Sequence, residues 1–152
     1  MAVDRAQALA LSFPELPFTV ERGRLRSFAR AIGETDLIYT DVEAARAAGH
    51  PDLPVPPTFA FSMGLEQADP FWYLDALGID LSRILHGEQS FRYHALTHAG
   101  DELVLRTRIA DCYAKRGGAL EFLEIETDIT RRCERVITAT TLLVVRNPEE
   151  KE

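Results

Sequence analysis

The side chains able to do chemistry gather in two places. The first is Gly33-Glu34-Thr35-Asp36-Leu37-Ile38-Tyr39, which sets two carboxylates and a phenol in a short loop. Such a loop can serve as a general acid/base site if rigid elements hold it. Helix capping and a turn would use the same residue types. The second is Leu85-His86-Gly87-Glu88-Gln89 at the start of a strand. There His86 and Glu88 stand two residues apart and are expected on one face. Imidazole titrates near neutrality and suits proton transfer, while an interior hydrogen-bonded histidine is the plainer role for His86. His50 adjoins a proline-rich loop as a surface or pocket-rim residue, and His94 and His98 are expected to be exposed. The sequence holds no Gly-rich phosphate loop, Ser elbow, CxxC or HExxH. Cys112 and Cys133 are not spaced as a metal pair, so two free thiols are expected, with no metal and no cofactor.

These residues need elements to hold them. Residues 22–32 place Leu25, Phe28, Ala29 and Ile32 at three- and four-residue steps, which predicts an amphipathic helix stopped by Gly33. A short β-prone stretch, 18–21, precedes it. Asp41 caps a second helix over 42–48, ended by Gly49. Four prolines between Pro51 and Pro57 then forbid regular structure and stiffen the approach to the next segment. From Thr58 to about Glu66 the chain is apolar almost all round, through Phe59, Ala60, Phe61, Met63 and Leu65, as a buried helix is.

The second half alternates instead. Four strands are predicted over 89–95, 102–113, 120–130 and 136–145, joined by turns and read in succession as an antiparallel meander. A buried helix of about three turns ahead of such a sheet packs with the sheet wrapped around it. The expected fold class is α+β, a hotdog fold: a long central helix wrapped by a curved antiparallel β-sheet. A single curved sheet leaves an edge open, which favours pairing with a second copy or a relative.

With 152 residues the chain reads as one domain, 1–152, its last residues 147–152 a flexible tail. Seventeen basic against 24 acidic side chains give a net charge of -7. That repels nucleic acid and anionic membrane surfaces, so neither is expected as a partner. No apolar run approaches the ~20 residues of a spanning helix. The N-terminal stretch lacks the basic-then-apolar layout of a secretory signal, and a cytoplasmic location is expected.

The order Gly33 to Tyr39, Ala44 to Gly49, Pro56-Pro57-Thr58-Phe59, His86 to His94, Ala99-Gly100-Asp101 and Arg116-Gly117-Gly118 resembles the MaoC-like hydratase/dehydratases. It is most similar to their N-terminal-domain subclass, which lacks an intact D-x-N-P-x-H motif. The resemblance spans roughly residues 18–146. It implies the hotdog fold and the hydration of trans-2-enoyl thioesters of coenzyme A or acyl carrier protein, or the reverse dehydration. In the family's active half an acid and an imidazole activate a water, and a backbone N–H at the start of the central helix polarises the thioester carbonyl.

Laid on this chain, Glu34 falls where the catalytic aspartate would be, Asp36 where the asparagine would be, and Tyr39 where the histidine would be. A phenol of pKa about 10 cannot take a proton near neutrality as imidazole can. The candidate catalytic residues are therefore Glu34, Tyr39, His86 and Glu88. The candidate substrate-binding residues are Thr58, Phe59, Phe61, Met63, Phe71 and Trp72, with Thr58 and Phe59 placed for the oxyanion. The resemblance implies a hydratase subunit that contributes an acyl groove beside a catalytic hotdog partner, in a heterodimer or homodimer. The alternatives are a non-catalytic thioester-binding or scaffold module, and a self-sufficient homodimer using Glu34 with Tyr39 or His86 with Glu88. An acidic chain gains nothing from attraction to an acidic carrier protein, so an acyl-coenzyme A substrate is expected.

Overall fold

The computed structural model describes residues 2–147. Of the tail expected over 147–152 only Asn147 lies among the described residues. Its side-chain amide donates to Gly118 O at 2.7 Å and to the Glu121 carboxylate at 2.8 Å, which pins it. Strands Leu16–Thr19 (β1), Ile84–Tyr93 (β2), Glu102–Lys115 (β3), Leu120–Arg131 (β4) and Glu134–Arg146 (β5) form one antiparallel sheet in the order β1-β3-β4-β5-β2. This is the hotdog layout, with helices on the concave face.

The four later strands do not run as a simple meander. Strands β3, β4 and β5 succeed one another as hairpins, but β2 pairs with β5 at the far edge, Phe91 opposite Ala139. Residues 94–101 carry the chain across the end of the sheet. They are tied there by His94 N–H to Val136 O at 2.8 Å and by Arg131 to Leu96 O and the Asp101 carboxylate. An eight-residue connection is compatible with a hairpin or a crossing, and alternation alone does not distinguish them.

Alternation does place the side chains. Leu103, Leu105 and Ile109 of β3, Leu123, Ile125 and Ile129 of β4, and Ile137, Ala139, Leu143 and Val145 of β5 are buried on the concave face. The convex face carries charge, including the pairs Arg108–Glu126 at 2.7 Å and Arg135–Asp128 at 2.9 Å. Exposed pairs of this kind contribute little to stability. Cys112 is buried and Cys133 exposed, and both are free.

The helices are short: Arg5–Ala10 (α1), Arg22–Ala31 (α2), Val42–Ala47 (α3), Ala60–Met63 (α4) and Trp72–Ala76 (α5). In α2 the predicted stripe holds for Leu25 and Ala29, which are buried, while Ile32 is exposed. Asp41 caps α3 through bonds from the Glu43 and Ala44 N–H groups. Neither α1 nor α5 was legible as a helix, since each is barely more than a turn and draws its stability from packing.

The central helix departs most from expectation. Only Ala60–Met63 is α-helical. Around it the chain is closed by three-residue-step bonds: Phe59 N–H to Pro56 O, Phe61 to Thr58, Ser62 to Phe59, Leu65 to Ser62 and Glu66 to Met63. Gly64 weakens continuation and Pro70 forbids it a few residues on. The long central helix is therefore replaced by a one-turn strap.

A short strap cannot cover a whole concave face. One buried cluster packs α2 and α4 against one end of the sheet, through Leu25, Phe59, Met63, Leu103, Ile129 and Ile137. A second packs α1 and α5 against the other end, through Ala8, Tyr73, Leu74, Ile109, Leu123 and Val145. Between the two clusters a gap remains between the sheet and the strap.

Candidate functional site

That gap is a cavity of about 470 Å³. Its floor is the sheet: Leu105 and Thr107 of β3, Ile125 and Thr127 of β4, Ala139, Thr141 and Leu143 of β5, and Ile84, His86 and Gln89 of β2. Its roof is the strap and its continuation, with Phe61, Leu65, Phe71, Trp72 and Tyr73. Phe13 closes one side, its ring 5.1 Å from Trp72 and 5.4 Å from Tyr73. Burial pushes the Tyr73 phenol up to about 12, so it stays neutral as a wall residue. A mostly apolar cleft with a few convergent polar groups is the usual form of a small-molecule site.

The polar groups lie in a band across the floor. Thr107 and Thr127 share a hydrogen bond at 2.9 Å between strands. The Thr141 hydroxyl donates to Gln89 Oε1 at 2.6 Å, and His86 Nε2 lies 3.3 Å from the same oxygen. The His86 ring meets the Phe61 ring edge to face at 5.4 Å.

The local backbone explains why His86 reaches Gln89. Strand β2 bulges between His86 and Glu88: His86 pairs with Leu143, but Glu88 pairs with Leu142. Adjacent residues of β5 face opposite sides, so His86 and Glu88 do as well. The expected His86–Glu88 pair is therefore broken. A Cβ on the extra residue, Gly87, would lie 3.0 Å from Val144 Cγ2 and 3.1 Å from Leu142 O, which is why glycine stands there.

The loop of Glu34 and Tyr39 is built differently. Gly33 adopts a left-handed φ of 72° that ends α2. Glu34 Oε1 accepts the Thr35 and Asp36 N–H groups at 2.8 and 2.9 Å, and Asp36 caps the turn Leu37–Tyr39 through the Ile38 N–H. Burial, then the Glu34 and Asp36 charges, push the Tyr39 phenol up, away from any role as a base near neutrality. None of these residues lines the cavity.

Among the expected substrate-binding residues, Phe61, Phe71 and Trp72 line the cavity. Phe59 and Met63 do not: both are core residues, with Phe59 packed against Phe18 and Phe28. Thr58 is exposed outside the cavity, and the Phe59 N–H is already bonded to Pro56 O at 3.0 Å. The oxyanion position expected at Thr58 and Phe59 is thus not presented to the cavity. The strap turns Phe61 inward to the groove and Phe59 into the opposite packing.

Residues 7–139 match the family described as FAS1-like, dehydratase domain region. The chain belongs to this family. This FAS1-like dehydratase domain is 38% identical to a UPF0336 protein of Streptomyces coelicolor over 151 residues, 99% of each chain. It is 38% identical to the UPF0336 protein of Thermobifida fusca over 148 residues, 96% of this chain and 95% of that one. Among solved structures it is similar to a MaoC-like dehydratase with a TM-score of 0.79 at 23% identity, over 95% of this chain and 44% of that one. It is similar to a chain of the ChsH1–ChsH2 complex from Mycobacterium tuberculosis, with a TM-score of 0.75 at 21% identity over 96% and 95%. It is also similar to a chain of the HadBC complex, a 3R-hydroxyacyl-ACP dehydratase from that organism, with a TM-score of 0.72 at 25% identity over 88% and 92%. The domain thus shares the hotdog fold of these structures.

The residues of this dehydratase domain that sequence reasoning missed are Gln89, Thr107, Thr127 and Thr141. A signal existed for three of them. Thr107, Thr127 and Thr141 fall at core-facing positions of otherwise apolar alternation, where a hydroxyl needs a partner or a ligand. Gln89 carried no such signal, because its facing depends on the bulge before it.

Proposed function

We propose that this chain is the acyl-binding subunit of an enoyl-thioester hydratase, or of the reverse 3-hydroxyacyl-thioester dehydratase, acting on acyl-coenzyme A beside a second hotdog chain. The observation that carries the reading is the apolar cavity left where the strap is short. Its aromatic roof and leucine–isoleucine floor suit an alkyl chain, whose burial contributes about 0.8 kcal/mol per CH₂.

The partner supplies what this chain lacks. Hydration needs a base to load a water and an acid to protonate the α-carbon, and each such group contributes roughly 10²–10⁴-fold. Glu34 has its carboxylate oxygen engaged with its own loop, Tyr39 is no base, and His86 and Glu88 are parted across the sheet. The second chain therefore carries the acid–histidine pair. The edge strand β2 offers the surface for it, since ten residues of sheet edge favour pairing with another strand. Two of the similar structures, ChsH1–ChsH2 and HadBC, are heteromeric complexes, which supports a heteromeric arrangement.

The test is crotonyl-coenzyme A hydration by the purified chain, alone and mixed with a hotdog partner that holds an intact D-x-N-P-x-H. Negligible turnover alone and robust turnover in the mixture support the reading. Robust turnover by the chain alone, abolished by Glu34→Gln, would reject it in favour of a self-sufficient site.

A further inference from the structure

We propose that the convex face of the sheet docks a second copy of this chain, the two copies packing back to back about a two-fold axis that runs across the strands. Tyr113 of β3 pairs with Phe122 of β4, Phe122 with Val144 of β5, and Val144 with Leu85 of β2. The chain neighbours Cys112, Leu123 and Leu143 are buried on the concave face, so the other four side chains form one apolar row across the convex face. The Tyr113 and Phe122 rings stack at 5.1 Å and stay partly exposed, as does Val144, while Leu85 is exposed. An apolar patch with aromatic side chains at its centre and charge at its rim has the make-up of a protein contact surface.

The charge beside that row is sorted by sign. Toward the β3–β4 turn the next row holds Lys115, Leu120 and Arg146, and Lys115 Nζ lies 5.4 and 5.0 Å from the centres of the Tyr113 and Phe122 rings. On the other side the next row holds Asp111, Glu124, Leu142 and Glu88. Asp111 is held by Arg5 at 2.9 Å, but Glu88, Glu124, Lys115 and Arg146 make no ion pair among the described residues. Such a face complements itself in one orientation. A two-fold along the apolar row lays row on row and sets each basic row over the other copy's acidic row. Arg146 of each copy then falls over Leu142 of the other, between its Glu124 and Glu88. A two-fold along the strands would stack like charges instead. The chosen axis keeps the strands of the two sheets aligned, a usual way for sheets to pack. It leaves edge strand β2 free for a different chain and does not depend on what the cavity holds.

The experiment is light scattering and sedimentation of the full chain at about 0.15 M salt, where the mutual repulsion of two acidic chains is screened. The unaltered chain should double its mass between about 1 and about 500 micromolar, as a small self-complementary interface does. Glu124→Arg and Arg146→Glu should each weaken that step by about tenfold or more, because each sets like charges together across the axis. An equimolar mixture of the two variants should regain it, since opposite charges then meet on both sides of the apolar row. Glu88→Arg or Lys115→Glu, in the same two rows, replaces a variant that loses its cooperative thermal melt. No doubling by the unaltered chain overturns the proposal. So does a doubling that the charge changes leave untouched, as pairing through edge β2 would be, or a mixture that stays apart.

Discussion

His86 and Glu88, two residues apart on one strand, point to opposite faces of the sheet. His86 sits opposite Leu143 over the cavity, and Glu88 sits opposite Leu142 on the convex side. One inserted residue, Gly87, produces this. It converts an apparent acid–base pair into a histidine that instead meets Gln89 and, through it, Thr141.

Gly87 is therefore where the site is most sensitive to a single methyl group. In Gly87→Ala the added Cβ would press on Val144 Cγ2 and on the fixed Leu142 carbonyl. Overpacking of this kind costs about 1–3 kcal/mol. For a domain of this size each kcal/mol lowers Tm by roughly 2–4 °C. A differential scanning melt should show that drop, and an unshifted Tm would mean the bulge tolerates a side chain.

Phe61 and Met63 stand two residues apart in the strap and should respond oppositely to charge. Phe61 is 43% exposed and lines the cavity, whereas Met63 is fully buried. Phe61→Asp should keep a cooperative melt within a few degrees of the unaltered protein. Met63→Asp should unfold the chain, because an unpaired buried charge costs several kcal/mol. Circular dichroism melts of the two variants decide this, and matching behaviour would contradict the assignment of the strap's two sides.

Stability should fall on mild acidification. His98 Nε2 lies 3.1 Å from His50 Nδ1, among the charges of Asp52, Asp101 and Arg131. Burial, then His50, hold the His98 imidazole below its ordinary value of 6.5. The folded state thus takes up this proton less readily than the unfolded chain does. The full stability is present above about pH 6.5 and is lost as the pH falls from there toward the depressed folded value. Urea melts from pH 7.5 to 5.5 should show this decline, and His98→Gln should flatten it. An equal slope in the variant would place the acid sensitivity elsewhere.

Much of the fold was legible because it is written in alternation. Leu103, Leu105 and Ile109 mark the concave face of β3 without ambiguity, and the caps Asp41 and Gly33 bound their helices as their chemistry requires. The crossing of residues 94–101 was not legible, since neighbours in a sheet are chosen by long-range packing. The strap misled for a related reason. Phe59, Phe61 and Met63 are equally apolar, but Phe61 faces a cavity and the other two face the core, and hydrophobicity cannot tell these apart. Of the residues expected at the site, Phe61, Phe71, Trp72 and His86 line the cavity. Gln89 was hidden by a one-residue shift in register, which flips every facing argument across it.

An acyl chain bound in the cavity between sheet and strap would be reported directly by Trp72. It is the only tryptophan in the sequence and lies in the cavity wall. Titration of the chain with hexanoyl-coenzyme A should shift or quench Trp72 emission saturably. Coenzyme A without an acyl chain should leave the emission nearly unchanged, and Phe61→Asp should weaken the acyl response by about tenfold or more. No saturable change with the acyl thioester, or the same change with coenzyme A alone, would contradict the account.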